Sequence, residues 1–288
     1  MDKGIEAKGK GYGHKVMYET LEYDRAVTLM RRFFQDKKGF IEVPTQSRLS
    51  ILAACEDPAT ISQFVFDGIN YPLPQTGQMW LEYELLKNPE FKGVYCISTS
   101  YRNEPNPIKG RHQKIFPMFE FESHGIIDDM IILEAELLEH LGFKKPRNLS
   151  YEDACQWYNT ETIESKQEEE MSIDYGEIVS LQYFPQRTHP FWNMKHSGDG
   201  IYNKVDVIMY GQETIGSAER SCDADEMAER FLSISDGNYA KLLYNHFGKS
   251  RVEKELNDYL NLDMFPRFGG GIGMTRMARA LKKAEKAV

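Results

Sequence analysis

The segment Tyr101–Glu122, YRNEPNPIKGRHQKIFPMFEFE, gathers charged side chains around a turn-rich loop. Arg102 and Glu104 stand two apart at the end of an expected strand, so both project to one face. Pro105, Asn106, Pro107 and Gly110 mark the loop, and Arg111, His112 and Phe116 follow it. Guanidinium groups grip phosphate oxygens through paired N–H donors, and an aromatic ring stacks on a base. The set suits a nucleotide cradle; an ion-pair cluster on a surface hairpin would use the same residues. A second segment, Phe268–Leu281 (FGGGIGMTRMARAL), sets Gly269, Gly271 and Gly273 ahead of Arg276. Glycines allow close backbone approach to a ligand, and a helix N-terminus with an arginine in its first turn attracts anions. Dinucleotide-binding folds use similar glycine spacing, but near the first strand of a βαβ unit. Here the run comes at the far end of the chain, which argues against that fold and leaves a plain helix start as the alternative.

Together the two segments resemble motifs 2 and 3 of class II aminoacyl-tRNA synthetases, f-R-x-E…R-H…F and G-x-G-x-G-x-x-R. Motif 1, a helix leading into a strand that ends in proline, has its counterpart in KKGFIEVPT with Pro44. All three occur in the family's order over nearly the whole chain. The resemblance narrows to the aspartyl/asparaginyl branch. Ala54-Cys55-Glu56 is similar to that branch's S-E-G-G-A-x-x-F segment, whose glutamate receives the substrate α-amino group. Thr76–Glu82 (TGQMWLE) resembles the asparaginyl S-G-Q-L-x-x-E, where aspartyl enzymes end in lysine. Glu213–Arg220 (ETIGSAER) resembles E-I-I-G-G-S-Q-R, and Asp206 matches the other metal-binding carboxylate.

The resemblance implies roles. Arg102, Glu104, Arg111, His112, Phe116, Glu213, Gly271, Gly273 and Arg276 would bind ATP, with Arg102, Glu104 and Arg276 catalytic. Asp206 and Glu213 would hold Mg2+. Glu56, Gln78, Glu82, Glu120, Gly216 and Arg220 would meet the substrate. Glu82, if it is not an exposed helix residue, would accept hydrogen bonds from ammonium or a nascent amide. Three positions depart from the pattern: Glu219 for glutamine, Ser217 for glycine and Ile115 for glutamate. The first two are expected to alter the substrate pocket.

The elements that must position these groups follow from periodicity. Ala26, Val27, Leu29, Met30, Phe33 and Phe34 recur at helical spacing over Tyr23–Lys38, and Gly39 stops the helix. Phe40–Pro44 reads as a short strand, and Phe64–Tyr71 as a hairpin turning at Asp67-Gly68. A helix is expected over Gln78–Leu86, strands over Gly93–Ser98 and 114–122, and a helix within 125–148 closed by Gly142. Val205–Tyr210 reads as a strand, a long helix starts at Asp223, and a strand-to-helix unit spans 265–283. The acidic stretch 161–177 reads as a solvated helix or loop, although it could cover the site. Strands mixed with helices without a βαβ rhythm give an α+β domain on an antiparallel sheet flanked by helices. Residues 1–20 are expected to be a loose arm and 21–288 the catalytic domain.

Composition bounds the rest. A net charge of -9 is the wrong sign for a protein that grips nucleic acid by neutralising phosphates. The four cysteines, Cys55, Cys96, Cys155 and Cys222, form no C-x-x-C pair, which argues against a zinc site or a disulfide framework. The N-terminus lacks an apolar signal region and no apolar run reaches membrane-spanning length, so a cytoplasmic protein is expected.

Only about twenty residues precede the motif 1 helix, leaving no room for the family's anticodon-binding domain. tRNA is therefore not the expected acceptor. By its resemblance the chain is expected to adenylate a carboxylate, most simply the aspartate side chain, and to amidate it with ammonia as an asparagine synthetase does. A tailoring enzyme acting on another carboxylate or an amide, with amide or nitrile as product, is one alternative. A synthetase-like protein with a binding or regulatory role is another. Motif 1 forms the dimer interface in the family, so a homodimer is expected.

Overall fold

The computed structural model describes residues 19–54, 57–108 and 111–286. Glu56, Cys55, Gly110 and nearly all of the expected arm lie outside them. Helix α1 (Thr20–Arg31) buries Ala26, Val27 and Met30. It continues into a wider π-helical turn, Arg32–Lys37, rather than staying regular to Lys38. The wider turn carries the adjacent Phe33 and Phe34 into the core together. The chain then reverses at Gly39, whose φ of 74° suits glycine. It enters β1 (Ile41–Glu42), and the expected hairpin forms from β2 (Gln63–Phe66) and β3 (Ile69–Pro72).

After α2 (Gln78–Lys87) come the long strands β4 (Gly93–Tyr101) and β5 (Ile115–His124), then α3 (Ile127–His140). A small excursion follows: β6 (Arg147–Ser150), α4 (Tyr151–Tyr158) and α5 (Ser165–Asp174). Strands β7 (Ile178–Pro185), β8 (His196–Gly198), β9 (Ile201–Met209) and β10 (Gln212–Glu219) return to the sheet. The long helix expected from Asp223 is instead three: α6 (Ala224–Ser233), α7 (Asn238–Phe247) and α8 (Lys249–Leu260). Ser235 and Asp236 adopt φ of 55° between the first two, and Gly248 divides the second from the third with φ of 85°. Strand β11 (Arg267–Gly273) runs directly into α9 (Met274–Lys286).

The large sheet has the order β1-β4-β5-β11-β10-β9-β7-β6, with β8 paired to β9. Its centre is antiparallel, as expected, and each edge adds one parallel pair, β1 with β4 and β6 with β7. Alternation of side chains divides its two faces. Phe119, Phe121, Val205, Val207, Ile215, Phe268 and Ile272 pack with α1, α3 and α9 into the main core. The opposite face sends up Met118, Glu120, Lys204, Asp206, Ala218 and Arg220, which line a cavity. The rim of that cavity includes α2 and residues just before and within the α6–α8 layer. No helix among the described residues is long and apolar enough to cross a membrane.

Candidate active site

One cavity of about 730 Å³ is lined by Arg102, Glu104, Arg111, His112, Phe116, Glu120, Asp206, Glu213, Gly216, Arg220, Gly271, Gly273 and Arg276, with Gln78 and Glu82 from α2. The fold thus gathers every expected site residue except Glu56, which lies outside the described residues.

At one end the groups suit phosphates. Arg102 stands over Phe116, its guanidinium carbon 5.3 Å from the ring centroid, and its Nε donates to Ser100 Oγ at 3.2 Å. His112 Nδ1 is 2.8 Å from Glu104 Oε2, which orients the imidazole. Arg276, in the opening turn of α9, donates to the Glu213 carbonyl and, at 3.5 Å, to the Arg111 carbonyl. It therefore braces the loop of one strand against the start of another. Arg111 donates to the Gly211 carbonyl at 3.3 Å and is ion-paired with Glu168 on α5. Glu168 also accepts the Glu213 backbone N–H at 3.0 Å. The acidic stretch expected to be solvated thus reaches onto the site, and α5 packs so closely that a Cβ at Gly211 would lie 3.0 Å from Glu169 Cα.

Asp206 and Glu213 come from neighbouring strands and converge over Gly216. A Cβ at Gly216 would lie 3.1 Å from Glu213 Oε1 and 3.5 Å from Asp206 Oδ1. Asp206 Oδ1 is buried without a hydrogen-bond partner, while Oδ2 is 2.6 Å from Lys204 Nζ. Burial pushes the Asp206 carboxyl up to about 7; Lys204 pulls it down and Glu213 adds repulsion. Two converging carboxylates with an unpartnered oxygen fit a hard divalent cation that completes its shell with water and phosphate oxygens. No group of three or more metal-ligating side chains forms among the described residues.

The other end is a closed polar network. Glu82 is fully buried, so it is not an exposed helix residue. Its Oε1 accepts from Asn193 Nδ2 at 2.8 Å, and its Oε2 from Tyr259 OH at 2.6 Å and Arg267 Nη2 at 2.8 Å. Arg220 donates to both oxygens of Glu122 at 3.4 Å and lies 3.5 Å from Glu82. Gln78 also donates to Glu122, whose carboxyl is pushed up by burial against the pull of Arg220. The glycine spacing of β11 belongs to this network: a Cβ at Gly269 would overlap Glu122 Oε2, and one at Gly271 would lie 2.6 Å from Met118 Cε. Glu120 accepts from Thr76, Ser98 and the Gly77 backbone N–H, fixing the start of α2.

Ser217, expected to alter the pocket, does line the cavity, but its hydroxyl and the Glu219 carboxylate make their hydrogen bonds on the other side of the sheet. Alternation along β10 turns both groups to the opposite face. Ser217 Oγ is 2.6 Å from Glu134 Oε1 on α3, and Glu219 accepts from the Ile127 N–H at 3.0 Å and from Asn203 at 2.7 Å. Residues the sequence reading missed are Lys204, Glu168, Glu122, Arg267, Tyr259 and Asn193. Lys204 was within reach of it, because it stands two before Asp206 on an alternating strand.

Residues 13–287 match the family described as tRNA synthetases class II (D, K and N), and the chain belongs to it. Among curated proteins it is 24% identical to the cytoplasmic aspartate–tRNA ligase of Caenorhabditis elegans, over 84% of this chain and 50% of that protein. It is 24% identical to the Bos taurus counterpart, over 83% and 53%. The chain thus spans about half the length of the curated relatives it matches. Among solved structures it resembles asparaginyl-tRNA synthetase from Pyrococcus horikoshii complexed with asparaginyl-adenylate, with TM-score 0.74 and 19% identity over 91% of this chain and 64% of that one. Aspartyl-tRNA synthetase from Entamoeba histolytica gives TM-score 0.65 and 18% identity over 91% and 54%.

Proposed function

We propose that the chain activates a carboxylate with ATP, releasing pyrophosphate, and that this carboxylate is the side chain of aspartate or an aspartate-like acid, which ammonia then converts to the amide. The observation carrying this reading is one cavity that joins an arginine-rich, aromatic-walled end to a buried polar end. Phe116 offers a face for adenine, and Arg102 is placed for the α-phosphate. As the carboxylate oxygen attacks phosphorus in line, charge grows on the phosphate oxygens and Arg102 takes it up. Arg111, His112 and Arg276 hold the leaving pyrophosphate, and Arg111 must exchange Glu168 for it. Mg2+ on Asp206 and Glu213 would supply further neutralisation of the phosphates. Ammonia then attacks the acyl carbon, the bond to AMP breaks, and a proton leaves the new amide nitrogen. Arg220, at the buried end, is the partner for the substrate's α-carboxylate in this orientation.

A larger acid or amide, including dehydration of an amide to a nitrile, is the second reading. It is favoured by the cavity's continuation to Phe191, Ile234 and Tyr239. One incubation separates the readings: the protein with Mg-ATP, aspartate and ammonia, analysed by mass spectrometry. AMP with asparagine supports the first reading. ATP binding without turnover of aspartate or asparagine favours the second, and charging of added tRNA by the same protein would overturn amidation. A protein that binds no ATP would be a non-catalytic relative. We also propose a homodimer through α1 and β1, where Leu21 and Ile41 are exposed; a strict monomer in gel filtration would overturn it.

A further inference from the structure

Lys204 lies two residues before Asp206 on β9, so both side chains leave the same face of the sheet and line the cavity. Its ammonium is 2.6 Å from Asp206 Oδ2 and 3.8 Å from the centroid of the Phe184 ring. Of its side-chain surface, 23% remains accessible. An ammonium carries three donors; among the described residues the one hydrogen bond it makes goes to Asp206. Asp206 is therefore used asymmetrically. One oxygen is closed by a fixed cation, and the other, Oδ1, is bare and shares the space over Gly216 with Glu213. A lysine serving only to neutralise a buried carboxylate has no reason to keep donors in a cavity beside an oxygen left unpartnered. The neighbouring charges carry the same implication. Lys204, Arg111 and Arg276 oppose Asp206, Glu213 and Glu168, so this end is balanced until a ligand draws Arg111 away from Glu168.

We propose that Lys204 is a phosphate-binding residue of this site: its free donors take a non-bridging phosphate oxygen of ATP on the Oδ2 side of Asp206, leaving the Oδ1 side to the divalent cation. The assignment rests on the ATP reading given above and names a group within it. Lys204 then adds a Mg2+-independent charge to those of Arg102, Arg111 and Arg276, so its loss should weaken ATP binding with the cation present or removed.

The test is calorimetric titration of the whole chain with ATP and, separately, with adenosine, each with Mg2+ and with a chelator. Lys204→Met is expected to weaken ATP binding about tenfold or more in both conditions, as loss of a hydrogen bond to a charged group does. Adenosine binding should not change, and Lys204→Arg should stay within about threefold of the natural protein for ATP. Equal ATP affinity in Lys204→Met and the natural protein would overturn the assignment while leaving the ATP site intact. Parallel loss of adenosine and ATP in Lys204→Met would make the residue structural and also overturn it. A natural protein that binds neither ligand removes the ATP reading, and the assignment with it.

Discussion

The two ends of the cavity are built from similar residue types in opposite ways. At the phosphate end, charged groups meet in pairs that a ligand can reach: Arg111 with Glu168, His112 with Glu104, Lys204 with Asp206. Each pair keeps some surface open to the cavity. At the far end Glu82, Glu122, Arg220, Arg267 and Tyr259 are buried and bonded mainly to one another. Two carboxyl groups there face two guanidiniums, and Arg267 and Tyr259 fix Glu82 from behind. A polar group that must move with its ligand is placed at an accessible pair. One that must present a fixed surface is placed where every partner is locked, because in a low-dielectric interior an unmet charge is costly.

The sharpest way to break that contrast is to cut the locked network. Arg267→Met leaves Arg220 as the one buried guanidinium serving both Glu82 and Glu122, and removal of one partner from such a network costs roughly 3–5 kcal/mol. Urea unfolding should show that loss; an unchanged midpoint would mean the far end is not locked. The opposite outcome is expected of Arg102→Ala. Pyrophosphate release should fall about a hundred- to a thousand-fold, as when a preorganised charge is removed from a transition state, with the thermal midpoint unmoved. Near-natural release would sink the role given to Arg102, and a collapsed midpoint would make the phosphate end as structural as the other.

Glu134 tests the face behind the cavity. Burial pushes its carboxyl up to about 8. Ser217 Oγ donates to its Oε1 at 2.6 Å, which offsets that rise only in part, and its Oε2 is buried without a hydrogen-bond partner. The native state therefore holds a proton that the unfolded chain gives up near pH 4.5. Because the folded pKa is the higher one, stability should fall as pH rises from about 5 to 8. Glu134→Gln keeps an oxygen to accept from Ser217 without the ionisation, so it should flatten the fall by about 4 kcal/mol at pH 8 and make little difference at pH 5. Parallel pH profiles for the two proteins would show that Glu134 is already ionised in the native state.

The sequence announced one end of the cavity better than the other. The residues proposed for the phosphates sit at strand ends and a helix start, where local spacing already brings Arg102 beside Glu104 and Gly273 near Arg276. Glu82, Tyr259 and Arg267 are 177 and 8 residues apart in turn, and their meeting needs the sheet and the α6–α8 layer together. No local pattern marks such a group. The same cause misled the reading of Ser217 and Glu219, which are close in sequence to Gly216 and Arg220 yet point through the sheet. The break at Ser235 and Asp236 did carry a local signal, the Asp236-Gly237 step, whose glycine has φ of 74°, whereas the acidic character of 161–177 concealed Glu168 among glutamates that do face solvent.

Glu168 itself gives the smallest effect and the finest division between the two kinds of construction. If its pair with Arg111 is one the ligand exchanges, Glu168→Gln removes a competitor of the phosphates. A partly buried pair of this sort is worth on the order of 1 kcal/mol, so ATP should bind about fivefold more tightly by calorimetry. Glutamine keeps an oxygen that can accept the Glu213 N–H, so the strand start beside the metal carboxylates should hold its place. Weaker ATP binding in Glu168→Gln would reverse the inference. Glu168 would then be a positioning residue that presents Arg111 to the nucleotide, and the phosphate end would be built on the locked principle of the far end.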